Sequence, residues 1–295
     1  MDLVVGATGL VGQQIALSLR ARGRQVRAMV RGGRNHEKAK PLISAGIDII
    51  DADLTKHQSL QSACADIETV VCTATSMPHG REDGLRRVDQ EGILALIENA
   101  ERAGVRHFIY TSYSGNIREE SPLETAKRSC ENRLFSGRVR ATILRPSYFS
   151  EIWLSPALGF DAGNGRARIY GTGDEKIGYI SYLDVAAFAV AAAEKTPDKS
   201  VVLEMGGPES LSQLDAVRIF ERIFGKKIEL DRVLVAALQE QHLSPDPLQK
   251  TFAALMLAHA KGDAIPGRLE TARSYGINLR SVSDCAAAMS KAAAV

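Results

Sequence analysis

The segment Gly6-Ala7-Thr8-Gly9-Leu10-Val11-Gly12 constrains this chain more than any other, because of what stands on either side of it. It follows the apolar run Leu3-Val4-Val5 directly and leads into a helical pattern with Leu10, Val11, Ile15 and Leu17 at its apolar positions. A strand entering a helix through glycines at three-residue spacing supplies a tight turn and a backbone bare enough for a pyrophosphate to approach. The free N–H groups and the positive end of the helix dipole then face the anion. This context favours a dinucleotide site over a glycine-rich turn that holds nothing. Gly6, Thr8, Gly9, Leu10, Val11 and Gly12 are expected to line it.

An acidic residue about 20 positions further on would hold an adenosine ribose diol. Arg31 stands there instead, followed by Gly32, Gly33 and Arg34. Two guanidinium groups on a glycine turn suit a 2′-phosphate by charge and by their planar donor forks, so NADP(H) is expected in preference to NAD(H). The alternative is a pair of solvated loop arginines. Asp51 and Asp53 end the third strand run without a histidine or cysteine at ligand spacing. His36-Glu37-Lys38-Ala39-Lys40 has lysine where a zinc-binding helix needs its second histidine, so no metal site is expected. Asp53, with Leu54, reads either as the rim of the nucleotide site or as a cap for a helix begun near Thr55. Thr73, Ala74 and Thr75 are expected beside the nicotinamide, or else form a plain exit from the fourth strand.

Short β-branched runs at residues 3–5, 26–30, 47–50, 69–73, 107–111 and 140–144 alternate with helical patterns. Such alternation predicts βαβ units and a parallel sheet. Val88, Gly92, Ile93, Leu96, Ile97 and Ala100 recur at helical spacing, which predicts an amphipathic helix packed on that sheet. After Arg145-Pro146 the alternation loosens into glycine and proline loops, an isolated strand at 201–204, and helices broken at Ser244-Pro245 and at 264–267. Residues 1–146 are therefore expected to form a nucleotide-binding domain, with 147–295 a smaller lobe intertwined with it.

Composition excludes more than it identifies. With 37 Lys+Arg against 35 Asp+Glu, no charge excess recommends nucleic acid or a membrane surface as partner. Cys64, Cys72, Cys130 and Cys285 form no CxxC pair and read as reduced thiols. Met1-Asp2 run straight into the first strand, and the apolar stretch at 185–193 is too short to span a bilayer. A cytoplasmic protein without a membrane span is expected. His36, His57, His79, His107, His242 and His259 are scattered and read as surface or packing residues, and no GxSxG elbow supports a serine hydrolase.

Taken in order, the glycine turn, Arg31, Asp53-Leu54, Val88-Asp89 through Gly104-Val105, Phe108-Ile109-Tyr110-Thr111-Ser112 and Leu144-Arg145-Pro146 resemble the short-chain dehydrogenase/reductase superfamily. With Ile180-Ser181-Tyr182-Leu183-Asp184-Val185-Ala186 and Gly206-Gly207-Pro208, the resemblance narrows to its atypical, NmrA-like branch and covers nearly the whole chain. It implies an α/β Rossmann fold, a doubly wound parallel sheet with a smaller C-terminal α+β lobe that forms the substrate pocket. It also implies a tyrosine and a lysine four residues apart, the lysine lowering the tyrosine pKa. Lys127 fits the lysine position, but Leu123 occupies that of the tyrosine. Lys127 is then a proton source in its own right or a ribose contact only. Ser112 and Tyr113 follow the fifth strand, where switch-point ligands bind, and Tyr113 is a second candidate acid or a piece of pocket wall. Tyr148, Phe149 and Trp153 are expected either to line a pocket for a planar acceptor or to pack between elements.

Three functions stay open on this reading. An NADPH-dependent reductase of a small conjugated carbonyl or quinone is favoured by Lys127 and the aromatic run. A non-catalytic NADP(H)-binding redox sensor acting on a regulatory protein partner is favoured by Leu123. An assembly protein that keeps NADP(H) for stability stands third.

Overall fold

A computed structural model describes residues 1–78 and 83–293. His79 lies outside the described residues. In chain order the elements begin with β1 (Asp2–Val5), α1 (Leu10–Ala21), β2 (Val26–Val30), α2 (Lys40–Ser44), β3 (Asp48–Asp51), α3 (Ser59–Ala63) and β4 (Thr69–Cys72). They continue through α4 (Ile93–Arg102), β5 (His107–Thr111), α5 (Pro122–Ser136), β6 (Arg140–Pro146), α6 (Ser150–Trp153), β7 (Phe160–Asp161), β8 (Arg166–Tyr170) and α7 (Tyr182–Glu194). Last come β9 (Val201–Met205), α8 (Gln213–Phe224), β10 (Glu229–Val233), α9 (Val235–His242), α10 (Pro247–Lys261), α11 (Arg268–Ser274) and α12 (Val282–Ala293).

The chain divides into two compact units. The first comprises Met1–Ser112, Pro122–Leu144 and Ala186–Leu203; the second comprises Tyr113–Ser121, Arg145–Val185 and Glu204–Val295. A seven-stranded sheet runs in the order β3-β2-β1-β4-β5-β6-β9, with β1 to β6 parallel. β1, β4 and β5 are buried at every position, as parallel strands covered on both faces must be. Their side chains meet those of the crossover helices in one core that holds Leu3, Val70, Leu96, Phe108 and Ile143. From β1 the chain winds outward through β2 and β3, and from β4 it winds the other way through β5 and β6. The loops that leave β1 and β4 therefore diverge, and such a switch point is where open α/β sheets take their ligands.

Two details depart from the periodicity. The amphipathic helix predicted over 88–100 is wound in wide π-type turns over Leu85–Gly92 before α4 begins. Gly92 lies so close to Leu54 that a Cβ there would be 2.7 Å from the Leu54 Cβ, which accounts for the missing side chain. The isolated strand expected in the smaller lobe is β9, and it extends the large sheet beyond β6.

The second unit holds a mixed sheet, β10-β8-β7, in which β8 runs parallel to β10 and antiparallel to β7. Phe160, Ile169, Tyr179 and Phe220 are among its core residues. α8 starts with a reciprocal capping box between Ser212 and Asp215 and stops at Gly225 in the left-handed conformation, φ 66°. α9 ends before the predicted Ser244-Pro245 break, and α10 restarts with Asp246 as N-cap and Pro247 in the first turn. No helix among the described residues is long and apolar enough to cross a membrane.

Candidate functional site

The glycines of the first turn do different work. Gly6 has φ 86°, and a Cβ on it would lie 2.8 Å from both the Ala74 nitrogen and the Thr73 Oγ1. A Cβ on buried Gly12 would overlap the Gly6 carbonyl oxygen. These two let α1 pack against the ends of β1 and β4. Gly9 is exposed, has φ −86°, and has only the Gly6 carbonyl oxygen, at 3.3 Å, within reach of an added Cβ. It is the N-cap of α1, with no capping side chain and no acidic residue in the first turn. Bare amides at the positive end of a 12-residue helix, beside open space, fit a pyrophosphate. Thr8 and Val11 are half-buried around this turn, and Leu10 is 59% exposed. Gly12→Val is expected to destabilise the fold by about 1 to 3 kcal/mol or more through overpacking. Gly9→Val should fold normally yet lose NADPH binding; urea melts and NADPH titrations of both variants separate the two roles.

At the end of β2, Arg31 and Arg34 are exposed, and neither makes a hydrogen bond or ion pair among the described residues. The turn between them is held by Asp51, whose Oδ1 accepts the Gly32 N–H at 2.9 Å. Gly32 and Gly33 both have positive φ, 79° and 60°, which glycine adopts without strain. Asp53 Oδ1 accepts from the Thr55 N–H and Oγ1, each at 2.9 Å, so this carboxylate closes a local turn while α3 starts later, at Ser59. Leu54 is buried against Gly92.

The loop leaving β4 is anchored twice. The Thr73 N–H donates to the Val5 carbonyl at 2.9 Å, and Asp89 Oδ2 accepts from the Ser76 N–H and Oγ at 2.9 and 2.6 Å. Ala74 is half-buried and Thr75 exposed between these anchors. Asp89 is fully buried and was not legible as a functional residue; its one sequence signal was the Val88-Asp89 pair. Lys127, on α5, is 6% exposed, and its Nζ donates to the Thr111 carbonyl at 2.9 Å from 5.0 Å above the Tyr110 ring. A buried ammonium with one hydrogen-bond acceptor keeps donors for a further partner. Leu123 lies one turn earlier on the same helix, also buried. Ser112 is buried at the end of β5, its Oγ 3.5 Å from the Arg128 Nη1. Burial pushes the nearby Cys72 thiol up to about 12, so it carries no thiolate at neutral pH.

In the second unit Tyr113 is half-buried, and Tyr148 is buried with its hydroxyl donating to the Leu255 carbonyl at 3.0 Å. Phe149 is the half-buried N-cap of α6. Trp153 stacks on His259 at 4.6 Å and meets Tyr148 edge-on at 4.6 Å. His259 is buried, bonded through Nε2 to the Tyr179 hydroxyl at 2.9 Å, and desolvation lowers its pKa to about 3. Tyr148 and Trp153 thus share one aromatic cluster with a histidine that the sequence left among scattered packing residues.

Residues 6–196 match a family model described as NAD(P)H-binding. A Photosystem II assembly factor, Ycf39 of Trieres chinensis, is 27% identical over 78% of this chain and 71% of its own. An NAD(P)H azoreductase of Xenophilus azovorans is 26% identical over 77% and 75%. The NADPH-dependent quinone oxidoreductase QOR2 of Escherichia coli, solved with NADPH, superposes with a TM-score of 0.80 over 98% of this chain and 99% of that one, at 22% identity. The chain belongs to the NAD(P)H-binding family whose model it matches over 6–196, and it shares the fold of the quinone oxidoreductase.

Proposed function

We propose that the protein is an NADPH-dependent reductase of a small conjugated acceptor of the quinone or enone type. The observation that carries this reading is Lys127, an ammonium buried at the end of β5 with its Nζ bonded only to the Thr111 carbonyl among the described residues. When bound, NADPH supplies the hydride. Gly9 and the first-turn amides of α1 take the pyrophosphate, Arg31 and Arg34 the 2′-phosphate, and Thr73, Ala74 and Thr75 flank the nicotinamide, with Asp53 and Leu54 at the adenine side. Ser112 and Lys127 orient the ribose, and Lys127 gives the acceptor oxygen its proton, with Tyr113 the second candidate. Residues 147–295 supply the acceptor pocket, with Phe149 and Trp153 in its wall. Azo and quinone reductases among the similar proteins support an acceptor of this class.

NADPH consumption across a panel of quinones, enones, azo dyes and aldehydes tests the proposal. Turnover well above the enzyme-free rate is expected for at least one class. Cofactor choice is tested separately. The guanidinium groups at 31 and 34, unpartnered among the described residues, lead us to expect tighter binding of NADPH than of NADH. A lost charge-assisted contact is worth about 1.5 to 3 kcal/mol, so Arg31→Ala should weaken NADPH about tenfold or more and leave NADH nearly unchanged. Equal affinities in the unmodified protein would refute the preference.

A second reading is a non-catalytic NADP(H)-binding regulator acting on a protein partner. Leu123 in the tyrosine position and the similarity to an assembly factor favour it. Tight NADPH binding with no turnover across the whole panel would select this reading.

A further inference from the structure

Asp263 is 1% exposed, in the stretch between α10 and α11. Its Oδ1 accepts from the Ser114 Oγ at 2.6 Å and from the Asn116 Nδ2 at 2.9 Å, residues almost 150 positions away in sequence. Its Oδ2 is buried without a partner among the described residues. A carboxylate so placed costs stability that an apolar side chain would not. What it does that an apolar side chain cannot is hold two donors from one segment at a single point.

That segment is Tyr113–Ser121, which belongs to the second unit. The carboxylate itself is set in a rigid frame, since the Asp263 N–H donates to the Lys176 carbonyl and its carbonyl accepts from the Gly178 N–H, each at 2.9 Å. Other bonds secure the segment further along. The Gly115 N–H donates to Glu204 Oε2 at 3.1 Å, Ile117 is buried in the core, and Lys261 pairs with Glu119. Tyr113 stands at the head of this anchored run, one residue before Ser114, whose N–H donates to the Pro146 carbonyl at 2.9 Å. The bonds to Asp263 and Pro146 fix the backbone immediately after Tyr113, and with it the direction of its Cα–Cβ bond.

We propose that Asp263 is a positioning residue that fixes the Tyr113–Ser121 segment and so presents the Tyr113 ring to the acceptor. It rests on the reductase reading, and it assigns specificity to a residue that touches neither cofactor nor acceptor. Asp263→Ala is expected to raise the KM for a soluble 1,4-naphthoquinone about tenfold, the effect of losing two hydrogen bonds, while the Kd for NADPH stays within about twofold. Hydrogen exchange at residues 114–117 should accelerate about tenfold in the same variant. Asp263→Asn keeps the accepting oxygen and should restore both readouts, whereas Asp263→Leu fills the volume without an acceptor and should not, although a mere loss of packing would require it to. Asn116→Ala removes one donor, leaves the carboxylate in place, and should shift both in the same direction by less; it serves if Asp263→Ala fails to fold. Native exchange at 114–117 in Asp263→Ala overturns the anchoring whatever the turnover. Faster exchange with unchanged KM and kcat, or equal damage from Ala and Asn, overturns the positioning role. Absence of quinone turnover in the unmodified protein counts instead against the reductase reading, and with it the acceptor half of this proposal.

Discussion

On the proposed reductase reading, Lys127→Met is expected to lower turnover at saturating NADPH by roughly 100- to 10,000-fold, the usual cost of losing a general acid. The methionine keeps the side-chain length and removes the three donors that Nζ offers beside the Thr111 carbonyl. A lysine that only contacts the ribose would show itself differently, as weaker NADPH binding with turnover retained once the cofactor is saturating. Leu123→Ala, on the same helix, should leave turnover within a few-fold, because leucine has no proton to give. Steady-state rates at several NADPH concentrations, with melting curves to verify folding, make the comparison. Full turnover in Lys127→Met would eliminate the lysine mechanism and turn attention to Tyr113.

Acid should unfold this protein from pH values at which most surface carboxylates are still charged. Burial lowers the pKa of His107 to about 4 and that of His259 to about 3, so the folded chain refuses protons that the unfolded chain takes up near 6.5. Stability is therefore unaffected above about pH 6.5 and falls below it, by about 1.4 kcal/mol per pH unit for each histidine. The loss from His107 is complete near pH 4 and that from His259 near pH 3. At pH 4 the two together remove about 6 kcal/mol, comparable with the whole stability of an ordinary domain. Urea midpoints between pH 7 and 4.5 check the slope, and His107→Gln should roughly halve it. Trp153, the single tryptophan, stacks on His259 and reports its protonation directly. Its fluorescence should stay flat from pH 8 to 5.

What was legible in the sequence was local. The glycine turn and the run of strands to β6 depend on neighbours within a few residues, and periodicity or spacing captures such features, whereas Lys127 was singled out only by the family resemblance. The roles within the turn were less visible, since only the packing against Thr73 and Ala74 distinguishes Gly6 and Gly12 from Gly9. Asp89 with Ser76, Arg145 with Glu204, and Asp263 with Ser114 and Asn116 join residues far apart in the chain. Pairs of that kind leave no spacing signature, because the fold alone brings them together. β9 was recognisable as a strand, but its short apolar run carries no mark of which sheet edge it joins.

The return of β9 to the large sheet has a consequence for how the chain is made. Synthesis completes β6 at Pro146, but its neighbour does not begin until Val201. In that interval β6 is an open edge bearing Ala141, Ile143 and Leu144, all buried in the finished molecule, and such an edge is a template for another chain. At roughly 5 to 20 residues per second the ribosome leaves it unpaired for several seconds. Expression at lower temperature, or with a chaperone that shields nascent β-structure, should raise the soluble yield. A chain cut at residue 146 makes that interval permanent and should aggregate rather than yield a free-standing nucleotide-binding domain.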